Sequence, residues 1–542
     1  MRALHHALLF ACIFAGTCGG AGCTLLGARP AATPRVSLAQ GSKLLPTRTR
    51  RLTNLEVERS LAAFTGLEVT LARELPPEVR QEGYTPNVRQ DVSTTWATRY
   101  RALAATLAER AARQGTTLAG CHDLGDATCR AKVVAELGAR AFRRPVTPDE
   151  QSSLEGLLVE AGQAGEPFEG QLTLLLRALF ESPSFLYVTE LGAGGAPKGE
   201  PARLDDFELA SELSFMLRGA PPDRELLAAA TAGGLRATSE RVTQARRLLG
   251  MADTRYQFRR FALEWLEVDG LLDTAKSTQL YPSYDLLKPF MLAETESYVD
   301  EVMVHGGASV QSLLAGGFAS VGPEMARFYG LKSYGPRASL RDTGRLGVLQ
   351  QASFLAAHAH EDVTSPVKRG DFVMRKLLCE KVKRPAEIGL EVVMPPPSAT
   401  LSNRERLSQH LADPGCASCH TTLDAIGFTF ESFDAVGAAQ TSDHGKPVNA
   451  RARAQLGQGK SEAVEYRSSE ELTYALLENP TISECFARHA FRYFSAQADP
   501  GVEASFLGLR AELPLAQRDN LFEVLLAYVA SDLFVLREVR PE

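Results

Sequence analysis

Apolar side chains recur along this chain at intervals of three and four, the spacing of a helix face, in one segment after another. In RLTNLEVERSLAAFTG, Val57, Leu61 and Phe64 share such a face. Thr53 stands as N-cap with Glu56 three residues on, Leu52 and Val57 bracket the cap as a hydrophobic staple, and Gly66 ends the run. AFRRPVTPDEQSSLEGLL repeats the logic with Thr147 as cap, Pro148 at the first helical position and Glu150 at the third. RLDDFELASELSFMLRG gives Asp205 as cap, Glu208 as its reciprocal partner, and Leu209, Leu213 and Met216 in register before Gly219. Phe258, Phe261 and Trp265 fall at i, i+3 and i+7, and a further long helix around Leu292 to Met303 stops at Gly306 and Gly307. These Phe and Trp stripes read as core. Alternating strand patterns are scarce, so the expected fold is mainly α, with several helical subdomains.

Composition shifts mark where one unit gives way to the next. AATPRVSLAQGSKLLPT, GAGGAPKGEPA, KRPAEIGLEVVMPPPSATLSN and the polar stretch from Thr441 to Ser469 all read as linkers. The expected division is a leader over 1–23, a linker over 24–47, helical domains over 48–115, 116–191 and 203–333, a further module over 340–440, and a C-terminal helical domain over 465–540. A chain of 542 residues is long enough for that many cores. Its 44% hydrophobic and 23% charged residues are ordinary for globular protein. A net charge of only −6 provides no basic footprint, so nucleic acid is not an expected partner.

One arginine, an apolar run from Ala7 to Ala15 and then a cluster of small residues give the N-terminus the layout of a secretory signal. Gly20, Ala21 and Gly22 before Cys23 resemble a lipoprotein cleavage box, which makes Cys23 the expected lipidation site and N-terminal lipid the expected membrane attachment; a plain signal peptide is the alternative. The expected location is the periplasm or outer membrane of a Gram-negative bacterium. After Leu26 no run reaches about 18 apolar residues.

Export gives meaning to the nine cysteines, because outside the cytosol a thiol is expected to be paired, lipidated or bound to a cofactor. Cys12 and Cys18 would leave with the leader and Cys23 would carry lipid. Setting aside Cys416 and Cys419, four remain: Cys121, Cys129, Cys379 and Cys485. Cys121 and Cys129 bracket a short loop and are the natural pair, which leaves Cys379 for Cys485, although four cysteines allow three connectivities.

The signatures H-E-x-x-H, G-x-S-x-G and G-x-G-x-x-G are absent, and GQGKS lacks the leading glycine of a phosphate loop. Acidic pairs such as Asp149 with Glu150, or Asp205 with Asp206, sit at helix N-termini, where the dipole accounts for them. Against that background DPGCASCHTTLDAIGF stands out: Cys416, Cys419 and His420 form C-x-x-C-H, the attachment sequence of c-type haem. Two thiols add across the porphyrin vinyl groups and the adjoining histidine supplies the axial nitrogen to iron. With nine cysteines and ten histidines, chance would produce the pattern on the order of 0.003 times in such a chain. A Cys416–Cys419 disulfide and half of a zinc site are the competing readings, and no second C-x-x-C is present to complete the latter.

The order of RLTNLEVERSLAAFTG, AFRRPVTPDE, ESPSFLYVTELG, RLDDFELASELSFMLRGAPPDRELL, TSPVKRGDFVMRKLLC and CASCHTTLDAIGFTFESFDAVG resembles that of the planctomycete-type cytochrome C domain proteins, over about residues 51 to 533. The resemblance implies an exported multidomain protein in which 340–440 is a cytochrome-c-like haem module beside the helical subdomains, with haem c on Cys416, Cys419 and His420, and electron transfer as its role. The family commonly has Met-Asp-Pro where this chain has Leu423, Asp424 and Ala425, so no methionine ligand stands there. No methionine follows Met394 at all. The sixth iron position therefore falls to Met394 or to His410, His444 or His489, with His410 preferred because it leads straight into the motif and recurs in the family pattern. Three functions fit: an exported cytochrome passing electrons between a partner protein and an acceptor, a haem-dependent oxidoreductase, or a non-haem surface-binding scaffold.

Overall fold

The computed structural model describes residues 41–192, 194, 199–382, 398, 400–408, 411, 414–457 and 462–539. The fold is mainly α, with short strands pairing segments far apart in sequence. Local capping dictates many of the helix starts. Thr53, Thr147 and Asp205 each complete a capping box with Glu56, Glu150 and Glu208, opening the helices Asn54–Thr65, Pro148–Gln163 and Asp206–Arg218. Gly66 and Gly219 close the first and last of these in the left-handed region, at φ 68° and 57°.

The structure departs from the sequence reading at several elements, including strands Leu45–Pro46 and Pro201–Arg203 inside expected linkers. The long helix runs Tyr284–Gly306, beginning eight residues before Leu292, because Pro289 removes one backbone donor near the start without ending the helix. The polar stretch from Thr441 to Ser469 is not plain linker. It holds two small antiparallel hairpins, Ser442–Asp443 with Lys446–Pro447 and Ala452–Ala454 with Val464–Tyr466, whose strands are too short to show alternation.

Helices Asn54–Thr65, Thr94–Ala112, Ala127–Phe142 and Phe168–Phe180 close around a core that includes Leu61, Leu107, Val134, Leu176 and Phe180. A larger core gathers Leu209, Phe258, Trp265, Phe372, Phe430, Phe486 and Leu525. The 203–333, 340–440 and 465–540 segments all contribute to it. Trp265 is fully buried there, with Phe372 and Phe486 packed edge-on at 5.9 and 5.0 Å.

Strands tie the two ends of the chain together. Leu45–Pro46 runs parallel to Leu536–Glu538, which also pairs with Pro201–Arg203, and Arg48–Arg51 lies antiparallel to Tyr187–Glu190. At this junction the fully buried Glu190 carboxylate accepts from Arg48 Nε at 2.7 Å and from Arg537 Nε at 2.5 Å.

The disulfides are Cys121–Cys129, across the loop before the Ala127–Phe142 helix, and Cys379–Cys485. The second joins positions 106 apart, so reducing it frees a long loop in the unfolded chain. Replacing Cys379 and Cys485 by alanine together is expected to lower stability by about 4 kcal/mol in the chain-entropy account, read as a fall in the urea midpoint.

Candidate functional site

The C-x-x-C-H sequence lies in the first half of the helix Pro414–Phe428. Helical spacing puts positions 416, 419 and 420 on one side of that helix, since i, i+3 and i+4 are neighbours on its surface. Cys416 and His420 are both partly buried. One turn beyond His420, the Asp424 carboxylate is 2% exposed and its Oδ1 lies 2.9 Å from His420 Nδ1. That hydrogen bond, against the effect of burial, raises the histidine's pKa above its ordinary value. A carboxylate against one ring nitrogen is the arrangement that orients metal-ligating histidines. Asp424 Oδ2 is buried with no hydrogen-bond partner among the described residues.

The rest of the chain fixes this helix firmly. It crosses the helix Pro366–Phe372 with glycine on both sides. A Cβ at Gly370 would run into the Leu423 carbonyl, and one at Gly427 into the Pro366 carbonyl, so the two backbones are in contact where no side chain fits between them. Beside the crossing, Arg369 is completely buried and donates to the carbonyls of Leu355, Phe430, Phe433 and Asp434 at 2.9–3.2 Å, with Glu431 Oε1 at 3.5 Å. Glu431 in turn accepts from Thr364 Oγ1 at 2.8 Å, and Asn403 Nδ2 donates to the same hydroxyl at 2.7 Å. One guanidinium thus ties the chain leaving the motif helix to the helix packed against it. Arg369→Lys keeps the charge but lacks the planar fork that reaches several carbonyls. We expect it to cost about 3 kcal/mol, measured by the urea midpoint.

Cys23, Met394 and His410 lie outside the described residues, and Cys419 is described only as a position in the motif helix. His444 is half-exposed in a hairpin turn at φ 48°, with Nδ1 against Asp443 at 2.7 Å. His489 is buried in the helix Thr481–Phe494, where Tyr84 Oη meets Nδ1 at 2.9 Å and the Arg375 carbonyl faces Nε2 at 3.4 Å. Burial, then Lys376 and Arg492, push its pKa well down, so it is neutral. None of these ring partners belongs to the motif helix.

Sequence reading missed a second concentration of polar groups, beside the Cys379–Cys485 disulfide. Lys376 is fully buried and burial takes its ammonium down to about 8, with Glu267 at 3.6 Å and the Tyr84 ring at 4.7 Å. Glu267 also meets Arg375 at 3.0 Å and His358 at 3.5 Å. Glu267 and Cys379 hold φ of 57° and 53°, and a single π-helical turn, Val373–Leu377, lies just before Cys379. The partners come from four segments of chain, and no local spacing announces them.

A mainly α, multidomain chain with one C-x-x-C-H helix clamped by its neighbours is the class that fold and site define. Four family models match it in order: PSD3, protein of unknown function (DUF1587), over 50–113; PSD5, protein of unknown function (DUF1595), over 129–190; PSD4, protein of unknown function (DUF1592), over 204–331; and PSCyt3, protein of unknown function (DUF1588), over 345–443. The chain belongs to the planctomycete-type cytochrome C domain family, and the C-x-x-C-H helix, Gly370, Arg369 and Gly427 all fall inside the PSCyt3 match. No curated protein and no solved structure matches it.

Proposed function

We propose that this protein is an exported c-type cytochrome carrying one haem, bound through thioether bonds to Cys416 and Cys419 and ligated by His420, and that it passes electrons between a partner protein and an acceptor. The observation that carries the reading is the His420–Asp424 pair on the C-x-x-C-H helix, a carboxylate set against one ring nitrogen as it is behind metal-ligating histidines. The donor set fits: positions 416, 419 and 420 share one stretch of helix, and the four other described cysteines are consumed by disulfides. Haem bound there would supply a one-electron couple. Cys416 and Cys419 would tether it, and His420, held by Asp424, would keep its ring in one tautomer. The helix crossing at Gly370 and Gly427 would keep that ligand in place through a redox cycle. Export and lipidation at Cys23 belong to the same proposal.

Protein produced in the periplasm with a haem-attachment system is expected to retain haem on a denaturing gel, with Cys419→Ala losing most of the stain. An unstained wild-type band overturns the proposal. The pair itself makes a finer prediction. Asp424→Asn removes the charge behind His420 and is expected to raise the midpoint potential by about 60 mV, a tenfold effect for a one-electron couple. A redox titration showing no shift would remove Asp424 from the electronics of the site.

A further inference from the structure

Among the described residues the strand Tyr187–Glu190 is paired on one edge only, with Arg48–Arg51. The Leu52 N–H donates to the Leu186 carbonyl at 2.8 Å, which sets the phase of the ladder. Val188 and Glu190 therefore turn their backbone groups toward Arg50 and Arg48, and Tyr187 and Thr189 turn theirs outward. Side chains occupy that outer edge at two points. Arg143 Nη2 donates to the Tyr187 carbonyl at 2.7 Å, and Glu208 Oε1 accepts from the Leu191 N–H at 2.7 Å. Between them the Thr189 N–H and carbonyl have no partner among the described residues. Thr189 is exposed, so this pair faces solvent, and a cavity of about 150 Å³ opens beside it, walled also by Phe142, Ser184, Phe207 and Ser211.

The two ends of this slot carry side chains of opposite charge, both partly exposed. At the Leu191 end Asp205 caps its helix with Oδ1, which accepts from the Phe207 and Glu208 N–H groups at 2.8 Å, and its Oδ2 has no partner among the described residues. At the Tyr187 end Arg144 forks onto Glu150 with Nη1 and Nη2 at 2.8 Å, which leaves its Nε unengaged among the same residues. An extended residue carries the donor and acceptor that complement Thr189, and laid antiparallel it exchanges both bonds. That direction sends its N-terminal neighbour toward Asp205 and its C-terminal neighbour toward Arg144; the parallel direction reverses both. Arg143 and Glu208 hold the next outward groups, so the pairing stops after one residue. The cavity's size, below the about 300–1,000 Å³ that drug-sized ligands fill, sets the same limit. The geometry points to a binding site for a short free peptide, a tripeptide, whose central residue adds to the strand edge at Thr189 while its ammonium meets Asp205 and its carboxylate meets Arg144. The site shares no residue with the C-x-x-C-H helix, so it stands whether or not haem is attached there.

Saturation-transfer NMR with tri-alanine on the intact protein tests it, and wild type is expected to show transfer. Methylating the central peptide nitrogen removes the N–H that meets the Thr189 carbonyl and is expected to weaken binding at least tenfold. Acetylating and amidating the two ends removes both charges and is expected to weaken it at least tenfold as well. On the protein side, Thr189→Pro deletes an N–H that points away from the Arg48–Arg51 ladder, a place where an edge strand accepts proline, and is expected to abolish transfer. Asp205→Asn keeps the helix cap, loses the charge and is expected to weaken tri-alanine several-fold. Both peptide controls use wild-type protein, so they decide the matter even where Thr189→Pro fails to fold. Three results would overturn the inference: no transfer from tri-alanine, equal binding of the N-methylated peptide, or equal binding of the capped peptide, which would make the occupant an internal stretch of a longer chain.

Discussion

Gly427→Ala is expected to loosen the C-x-x-C-H helix from its neighbour and to cost about 3 kcal/mol or more, the upper end of what overpacking exacts. The added methyl would meet the Pro366 carbonyl group head-on, with Pro366 Cα at 2.6 Å. Relief requires the two helix backbones to part, because no side-chain rotation clears a carbonyl. Gly370→Ala is expected to behave alike, with its methyl against the Leu423 carbonyl carbon at 2.9 Å and Gly427 N at 3.4 Å. Both methyls demand the same separation, so the double variant should cost less than the sum of the singles. Gly156, inside the helix Pro148–Gln163 with nothing within 4 Å of its built Cβ, provides the control: Gly156→Ala is expected to stabilise by about 0.5–1 kcal/mol. Urea midpoints measure all four. Gly427→Ala matching the Gly156→Ala gain would refute the close crossing.

Glu190→Ala is expected to cost about 3–5 kcal/mol, because it leaves two buried guanidiniums facing each other across the terminal strands. Arg48 and Arg537 both point Nε and one further nitrogen at this carboxylate, and Arg537, like Glu190, has no exposed surface. Glu212, 3.6 Å from Arg48, can pair with that guanidinium but makes no ion pair with Arg537 among the described residues. Burial alone would raise the pKa of Glu190, but the two arginines reverse that and hold it at about 2. A carboxyl depressed in the folded state stabilises fully above its unfolded value near 4.5, and that contribution drains away as pH falls from there toward 2. Wild type should therefore lose stability over this acid window more steeply than Glu190→Ala. Parallel acid profiles for the two proteins would count against the network.

What could be read in advance was whatever a few adjacent residues decide. Thr53 with Glu56, Thr147 with Glu150 and Asp205 with Glu208 announce helix starts because both partners of each cap lie within one turn. The C-x-x-C-H spacing is local in the same way. Asp424 is local in the same way, four residues after His420 and so on the histidine's own helix face, and that spacing is the signal that marks it. Gly370 and Gly427 read as unremarkable glycines until the fold brings positions 57 apart into backbone contact. Glu190 needs Arg48 and Arg537, from opposite ends of the chain, before it means anything. The slot at Thr189 likewise depends on Arg143 and Glu208, supplied by separate segments.

The mass of the intact, unreduced protein recovered from the periplasm after co-production of a haem-attachment system bears most directly on the central proposal. Cys416 and Cys419 have two well-separated fates. Attachment adds the mass of one haem that survives acid and organic solvent, and Cys416→Ala/Cys419→Ala should lack it. A wild-type mass without haem and two hydrogens lighter than two disulfides account for would place a third disulfide at Cys416–Cys419 and contradict the cytochrome reading.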